Sequence, residues 1–299
     1  MRYFLSIIFL WALVACTSEQ EEKTTDLKPQ DTTTVSRPVT STVSNDLTKK
    51  NLKGKIKSRE VLVYTAKIKD GYVTNGELEG AVEIVYDEHG NKLSLTSYDN
   101  NKDLLHTWKH HYNASHNLAE SNYSDATVNR KLVYTYTNTN QPSICKEYVN
   151  DKEVKNTSYT YDNRGNEIEV KDVFMESKGQ SKSEHLYDKN GRRRETKIYN
   201  EKNDLQLKQL YTYNEAGQEI QQAIFTGDNA PSYKRKFEYD KMGNKIKDLA
   251  FDGKGVINAS DSYSYKYEYD NKGNWTVRIR YDYNDVANEF TEQKISYNE

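Results

Sequence analysis

Tyr239-Asp240-Lys241-Met242-Gly243-Asn244 stands between two extended stretches, Lys236-Phe237-Glu238 and Lys245-Ile246-Lys247. Asp at the first turn position with Gly three residues later predicts a type I turn closed by a glycine bulge. The Gly place needs positive φ, which a Cβ disfavours. The pattern recurs as Tyr86-Asp87-Glu88-His89-Gly90-Asn91, Tyr161-Asp162-Asn163-Arg164-Gly165-Asn166 and Tyr269-Asp270-Asn271-Lys272-Gly273-Asn274. Shorter forms begin at Tyr187 and Tyr213 and end on Gly191 and Gly217. Degenerate copies start at Tyr112 and Tyr136, with His116 and Asn140 in the Gly place, and both residue types tolerate that region. The leading tyrosines are 26, 24, 25, 26, 26, 26 and 30 residues apart. A fixed period of this size marks a repeat architecture. Gly90, Gly165, Gly191, Gly217, Gly243 and Gly273 are accordingly structural turn residues.

Working outward, a second aromatic falls near each half-period: Tyr98, Tyr123, Tyr148, Phe174, Tyr199, Phe225, Phe251 and Tyr281. Most precede turn formers, as in Asp99-Asn100-Asn101 and Asp252-Gly253-Lys254-Gly255. Each repeat then supplies two strands. The expected fold is all-β, an antiparallel meander of β-hairpin repeats of about 26 residues and roughly sixteen strands, forming an open or curled single sheet. Two residues before each leading Tyr stand Ile84, His110, Tyr134, Tyr159, His185, Tyr211, Phe237 and Tyr267. Strand alternation places them in one row on one face, where they take over the packing that the scarce aliphatic residues cannot provide.

Composition agrees with thin packing. Hydrophobic residues make up 35% against 29% charged, and 25 Tyr face 7 Phe. With 43 basic and 45 acidic residues, there is no cationic surplus for nucleic acid. Two Cys exclude a disulfide scaffold or a metal cluster of thiolates.

The Tyr-Asp copies resemble the YD-repeat family of Rhs and wall-associated proteins over about residues 80 to 299. Asn75-Gly76-Glu77-Leu78-Glu79-Gly80 looks more like a MORN-type hairpin repeat. In Rhs-type proteins such arrays wind into a shell around a toxin. The resemblance implies the hairpin fold, while this array is too short to enclose a toxin and none is expected after Glu299.

The N-terminus reads as an address. Arg2 precedes an apolar run, Tyr3 to Val14, of signal-peptide length and too short to span a bilayer. Leu13-Val14-Ala15-Cys16 resembles a bacterial lipobox, which implies a signal peptide over 1–15 and a diacylglycerol on Cys16. The acidic Glu19, Glu21 and Glu22 resemble the export tag of certain surface lipoproteins. Residues 16–55, rich in Thr, Ser and charge, are expected to be a disordered tether, reaching on the order of 35 Å as a coil. Residues 56–299 form the repeat domain.

Little chemistry is encoded. On a strand, His106 and His110 would share a face roughly 13 Å apart, too far for one metal ion. His110 and His185 occupy packing positions of the row. Asp99-Asn100-Asn101-Lys102-Asp103 opens like a calcium loop but has Leu104 and His110 where Gly and Glu are needed. Cys145 has no readable catalytic partner, and no phosphate loop, nucleophile elbow or zinc helix is present. No catalytic residue, metal or cofactor is expected. Trp108 and Trp275 depart from the Tyr consensus and are the candidate ligand-stacking residues. The function expected is a non-catalytic binding or adhesion domain held to the membrane through Cys16. Its partner would be a glycan or an envelope protein, with a carbohydrate-binding module using exposed Tyr and Trp, or a structural scaffold subunit of an envelope complex, as the rival readings. The expected location is an outer membrane lipoprotein at the cell surface, with a periplasm-facing orientation as the alternative.

Overall fold

A computed structural model describes residues 45–298. The signal peptide, Cys16 and the tether up to residue 44 lie outside the described residues. A one-turn helix, α1 (Asp46–Lys49), precedes β1 (Ile56–Lys69) and β2 (Tyr72–Tyr86). Then come β3 (Lys92–Tyr98), β4 (Leu104–Tyr112), β5 (Leu118–Asp125), β6 (Asn129–Tyr136), β7 (Pro142–Val149) and β8 (Lys152–Tyr161). They are followed by β9 (Glu167–Phe174), β10 (Gln180–Tyr187), β11 (Arg193–Tyr199), β12 (Leu205–Tyr213) and β13 (Glu219–Thr226). The chain ends with β14 (Pro231–Tyr239), β15 (Lys245–Asp252), β16 (Ile257–Tyr269), β17 (Trp275–Tyr281) and β18 (Ala287–Tyr297).

The strands form one 18-stranded antiparallel meander in which neighbours in sequence are neighbours in the sheet. β1 pairs with β2 and also with β18, from Ile56↔Tyr297 to Thr65↔Glu289. The sheet therefore closes. In strand pairing it is a β-barrel, which corrects the open or curled single sheet expected. The motif count falls short by two strands because β1 and β18 lie outside the eight copies, and these are the two that join the edges. Closure removes the rows of unpaired N–H and C=O groups that an open sheet would expose.

The turns explain the motif residue by residue. Gly90, Gly165, Gly191, Gly217, Gly243 and Gly273 have φ of 77–85°, while His116 and Asn140 sit at 58° and 59°. In the 239–244 turn, Gly243 N donates to Asp240 O at 3.0 Å and Asp240 N to Asn244 O at 2.9 Å. The Asp240 carboxylate accepts from the backbone N–H of Met242 and Asn244 at 2.9 and 2.8 Å. Asp is thus the turn's own acceptor. The leading tyrosine ties repeats together. The hydroxyls of Tyr112, Tyr187 and Tyr213 donate to the carbonyls of Lys92, Glu167 and Arg193, each twenty residues back, at 2.9, 2.7 and 2.9 Å. That of Tyr269 donates to the Asp240 carboxylate, and Tyr297 at the end of β18, outside the eight copies, does the same to Asp270. Phe could fill the same space but could not make these bonds.

The chain divides into two compact units, one of residues 132–263 without 240–244, the other of the remaining described residues. In the first, buried Tyr211 and Phe237 pack with Tyr213 and Tyr239. In the second, Leu47, Leu52, Ile56, Ile84 and Tyr86 form an aliphatic cluster. Leu47 and Leu52 come from residues 45–55, which the sequence reading gave to the tether. That segment is folded. Asn45 caps α1, Asn51 Nδ2 donates to Met242 O at 2.8 Å, and Lys53 exchanges two bonds with the Asn274 side chain, each 2.8 Å. Two leucines and these side-chain bonds offset the ordering entropy that its polar composition otherwise leaves unopposed.

Candidate interaction site

One sheet face carries the aromatic row, in which Ile84, His185, Tyr211 and Phe237 are buried and His110, Tyr134, Tyr159 and Tyr267 half-buried. In the 132–263 unit, cross-strand register lines up His185, Thr196 and Gln209, and beside them Tyr211, Gln222, Arg235 and Ala250. Tyr211 is 0% exposed, its hydroxyl engaged with Thr196 and Gln209 at 2.9 and 3.0 Å. Ion pairs share this face: Arg235–Asp248 at 2.7 Å and Arg193–Glu167 at 3.1 Å. In the other unit Glu289 receives Arg278 and Arg280, both at 2.7 Å. Such buried charges are tolerated because each is paired and hydrogen-bonded.

Trp108 and Trp275 are half-buried and already have aromatic partners. Trp108 stacks on His110 with centroids 6.1 Å apart and tilts against Tyr123 at 5.1 Å. Trp275 meets Tyr267 edge-on at 6.4 Å, with the Arg278 guanidinium 5.8 Å from its ring. Half-period aromatics are also occupied. Lys182, Lys208, Lys234 and Lys266 lie over the rings of Tyr199, Phe225, Phe251 and Tyr281 at 4.6, 4.8, 4.9 and 4.7 Å. These ammonium groups use the ring faces a sugar would need.

The row imidazoles and the Cys145 thiol are held in their neutral forms. His110 Nδ1 meets Ser121 Oγ at 2.8 Å, and His185 Nδ1 meets Thr196 Oγ1 at 3.0 Å. Burial lowers both imidazoles to about 4, helped at His185 by the charge of Arg193 and at His110 by that of Lys92. Burial likewise pushes the Cys145 thiol up to about 11, the opposite of what a nucleophile requires. Among the described residues no group of three or more His, Cys, Asp or Glu is arranged to hold a metal ion.

The most exposed large apolar side chains lie elsewhere, at a site the sequence reading missed. β1 pairs with β18 no further than Thr65, and β2 pairs with β3 no earlier than Ala81. Between them, Ala66–Lys69 and Tyr72–Asn75 pair only with each other, as an arm. Its turn is Asp70-Gly71, with φ of 51° and 83°. Positive φ at both places is the two-residue hairpin turn that Asp-Gly favours. Ile68 and Tyr72 flank it at 71% and 76% exposure. The Asp-Gly pair between β-branched and aromatic residues was the available signal; it carries no Tyr-Asp copy and so stood outside the period. Leu104 and Leu105, where β4 begins, and Tyr283 and Val286, in the β17–β18 turn, are also exposed.

Compared with known proteins, the chain matches no family model and no curated protein. Among solved structures, it is similar to a porin-like protein from Bacteroides uniformis at 8% identity and TM-score 0.41, covering 81% of this chain and 96% of that one. A porin-like protein from Bacteroides vulgatus aligns at 11% identity and TM-score 0.28, over 82% and 99% of the two chains. A TcdB2-TccC3-Cdc42 structure aligns at 14% identity and TM-score 0.33, over 79% of this chain and 16% of that one.

Proposed function

We propose that the protein is a lipid-anchored, non-catalytic interaction protein of a bacterial envelope, a scaffold of YD-type hairpins that holds a docking element for another protein. The packing of the aromatic row carries this reading. A sugar-binding sheet needs ring faces open to solvent, and here the row is buried or half-buried while lysines cap four of the half-period rings. Anchoring by acyl chains suits the sheet better than spanning does. One face holds ion pairs such as Arg235–Asp248, and the other carries Lys182, Lys208 and Lys234. A membrane-spanning barrel needs an apolar band about 25 Å tall on its lipid side. Among the described residues no helix is long and apolar enough to cross a membrane.

Two measurements test the reading. Cys16→Ser should move the protein from the membrane to the soluble fraction; retention in the membrane would overturn the anchor. Titrating the released protein with neutral oligosaccharides should leave its tryptophan fluorescence unchanged. A saturable shift abolished by Trp275→Phe would replace the scaffold with a carbohydrate-binding module.

A further inference from the structure

The geometry points to the tip of the β1–β2 arm as the docking element, and to a partner protein that offers an apolar cleft bordered by carboxylates. The inference deepens the proposed scaffold role and rests on it. Lys69 pairs with Tyr72 and Ile68 with Val73 across the arm, so Ile68 and Tyr72 project from opposite faces of the same two-residue turn. A tip that is apolar on both faces inserts into a cleft rather than lying on a flat surface. The turn is preorganised, because Asp70 and Gly71 already hold the backbone it requires, so little ordering is left to oppose binding.

Charge selects the cleft's border. Lys67 and Lys69 stand beside the tip, with no carboxylate within 4 Å among the described ion pairs, and outnumber Asp70. Addition of a strand along the arm is disfavoured. Exposed Glu77 and Glu79 line the β2 edge, and the register shifts near Thr65 and Gly76, where the Glu77 N–H bonds the Thr65 hydroxyl at 2.9 Å. Charges and bulges of this kind blunt sheet edges against pairing. Insertion into a bilayer is disfavoured too, because the apex carries the Asp70 carboxylate, which would lose its water without a partner.

The test places p-benzoylphenylalanine at Tyr72 in the full-length protein, irradiates intact cells, and repeats this at Thr107 as a control. A single protein adduct at the arm and none at the control is expected. Ile68→Ser should abolish it, and the Lys67→Glu, Lys69→Glu double change should reduce it at least fivefold, with unchanged melting midpoints in both variants. No adduct, an adduct insensitive to these changes, an adduct with lipid, or an adduct with a second copy of the chain would each overturn the proposal. Fractionation of the same cells reads the anchor separately, so a soluble protein that still forms the adduct would refute the anchoring and spare the arm.

Discussion

At the residue scale, the repeat is a set of hydrogen-bond obligations, and each motif position can be tested by removing one. Gly217 sits at φ +80 with nothing within 4 Å of where a Cβ would go, so any cost of substitution is backbone strain and not a clash. Gly217→Val should lower stability by about 1–2 kcal/mol in denaturant titration. Gly217→Asn should cost much less, since Asn140 holds the equivalent place at 59°. Equal losses for the two would show that something other than positive φ constrains the site. His185 gives a pH-dependent counterpart. Its folded value of about 4 lies below the 6.5 of the free side chain, because burial and Arg193 disfavour the cation. The neutral imidazole therefore supports the fold fully above about pH 6.5, and that support is lost as pH falls toward 4. The loss is about 3 kcal/mol at its fullest. His185→Gln should flatten the melting midpoint between pH 7 and 4.5; an undiminished fall would assign the pH dependence to the carboxylates instead.

At the element scale, the seam between β1 and β18 is held by the residues least like the repeat. The 45–55 segment bonds the turn at Gly90, through Leu47 N at 3.3 Å, and the turn at Asn274 through Lys53. Leu47→Ala removes a buried side chain from the small aliphatic cluster and should cost about 2–3 kcal/mol. Amide exchange in β1 and β18 should rise before exchange in β11–β13; uniform loss of protection would mean the segment fastens nothing in particular. This division also marks how far the fold is legible from the residues. The meander, its period and its turns follow from local chemistry, because Asp, Gly and Tyr act within one repeat or reach only to the one before. Closure does not, since the ladder from Ile56↔Tyr297 to Thr65↔Glu289 joins residues more than two hundred positions apart, and neither strand carries a complete Tyr-Asp turn copy. The folded state of 45–55 was hidden for a related reason. Leu47 and Leu52 look isolated in a polar stretch until Ile84 and Tyr86 are brought beside them. The proposed docking tip was the least legible part, because the Tyr consensus singles out Trp108 and Trp275, whose aromatic partners only pairing reveals.

At the scale of the molecule, the direction in which β1 runs would give a protein anchored at its N-terminus a polarity. Residues 45–55 bond motif turns, and β1 leads from them through 14 residues, roughly 45 Å at strand rise, to the Asp70-Gly71 tip. If Cys16 carries the anchor, the arm stands at the far end of that strand from the tether. A chain held by its acyl groups would then present Ile68 and Tyr72 to whatever lies beyond the membrane surface. If Glu19, Glu21 and Glu22 act as the export tag they resemble, the arm faces outward. A protease site inserted between Asp70 and Gly71 reads this directly, since a hairpin tip tolerates insertion where a paired strand does not. Cleavage in intact cells is expected, with a periplasmic control protein uncut. Protection in intact cells followed by cleavage after lysis would place the arm in the periplasm and move the search for its partner to the envelope machinery there. Resistance even after lysis would show that the tip is already covered by a bound protein, and Ile68→Ser should then restore cutting.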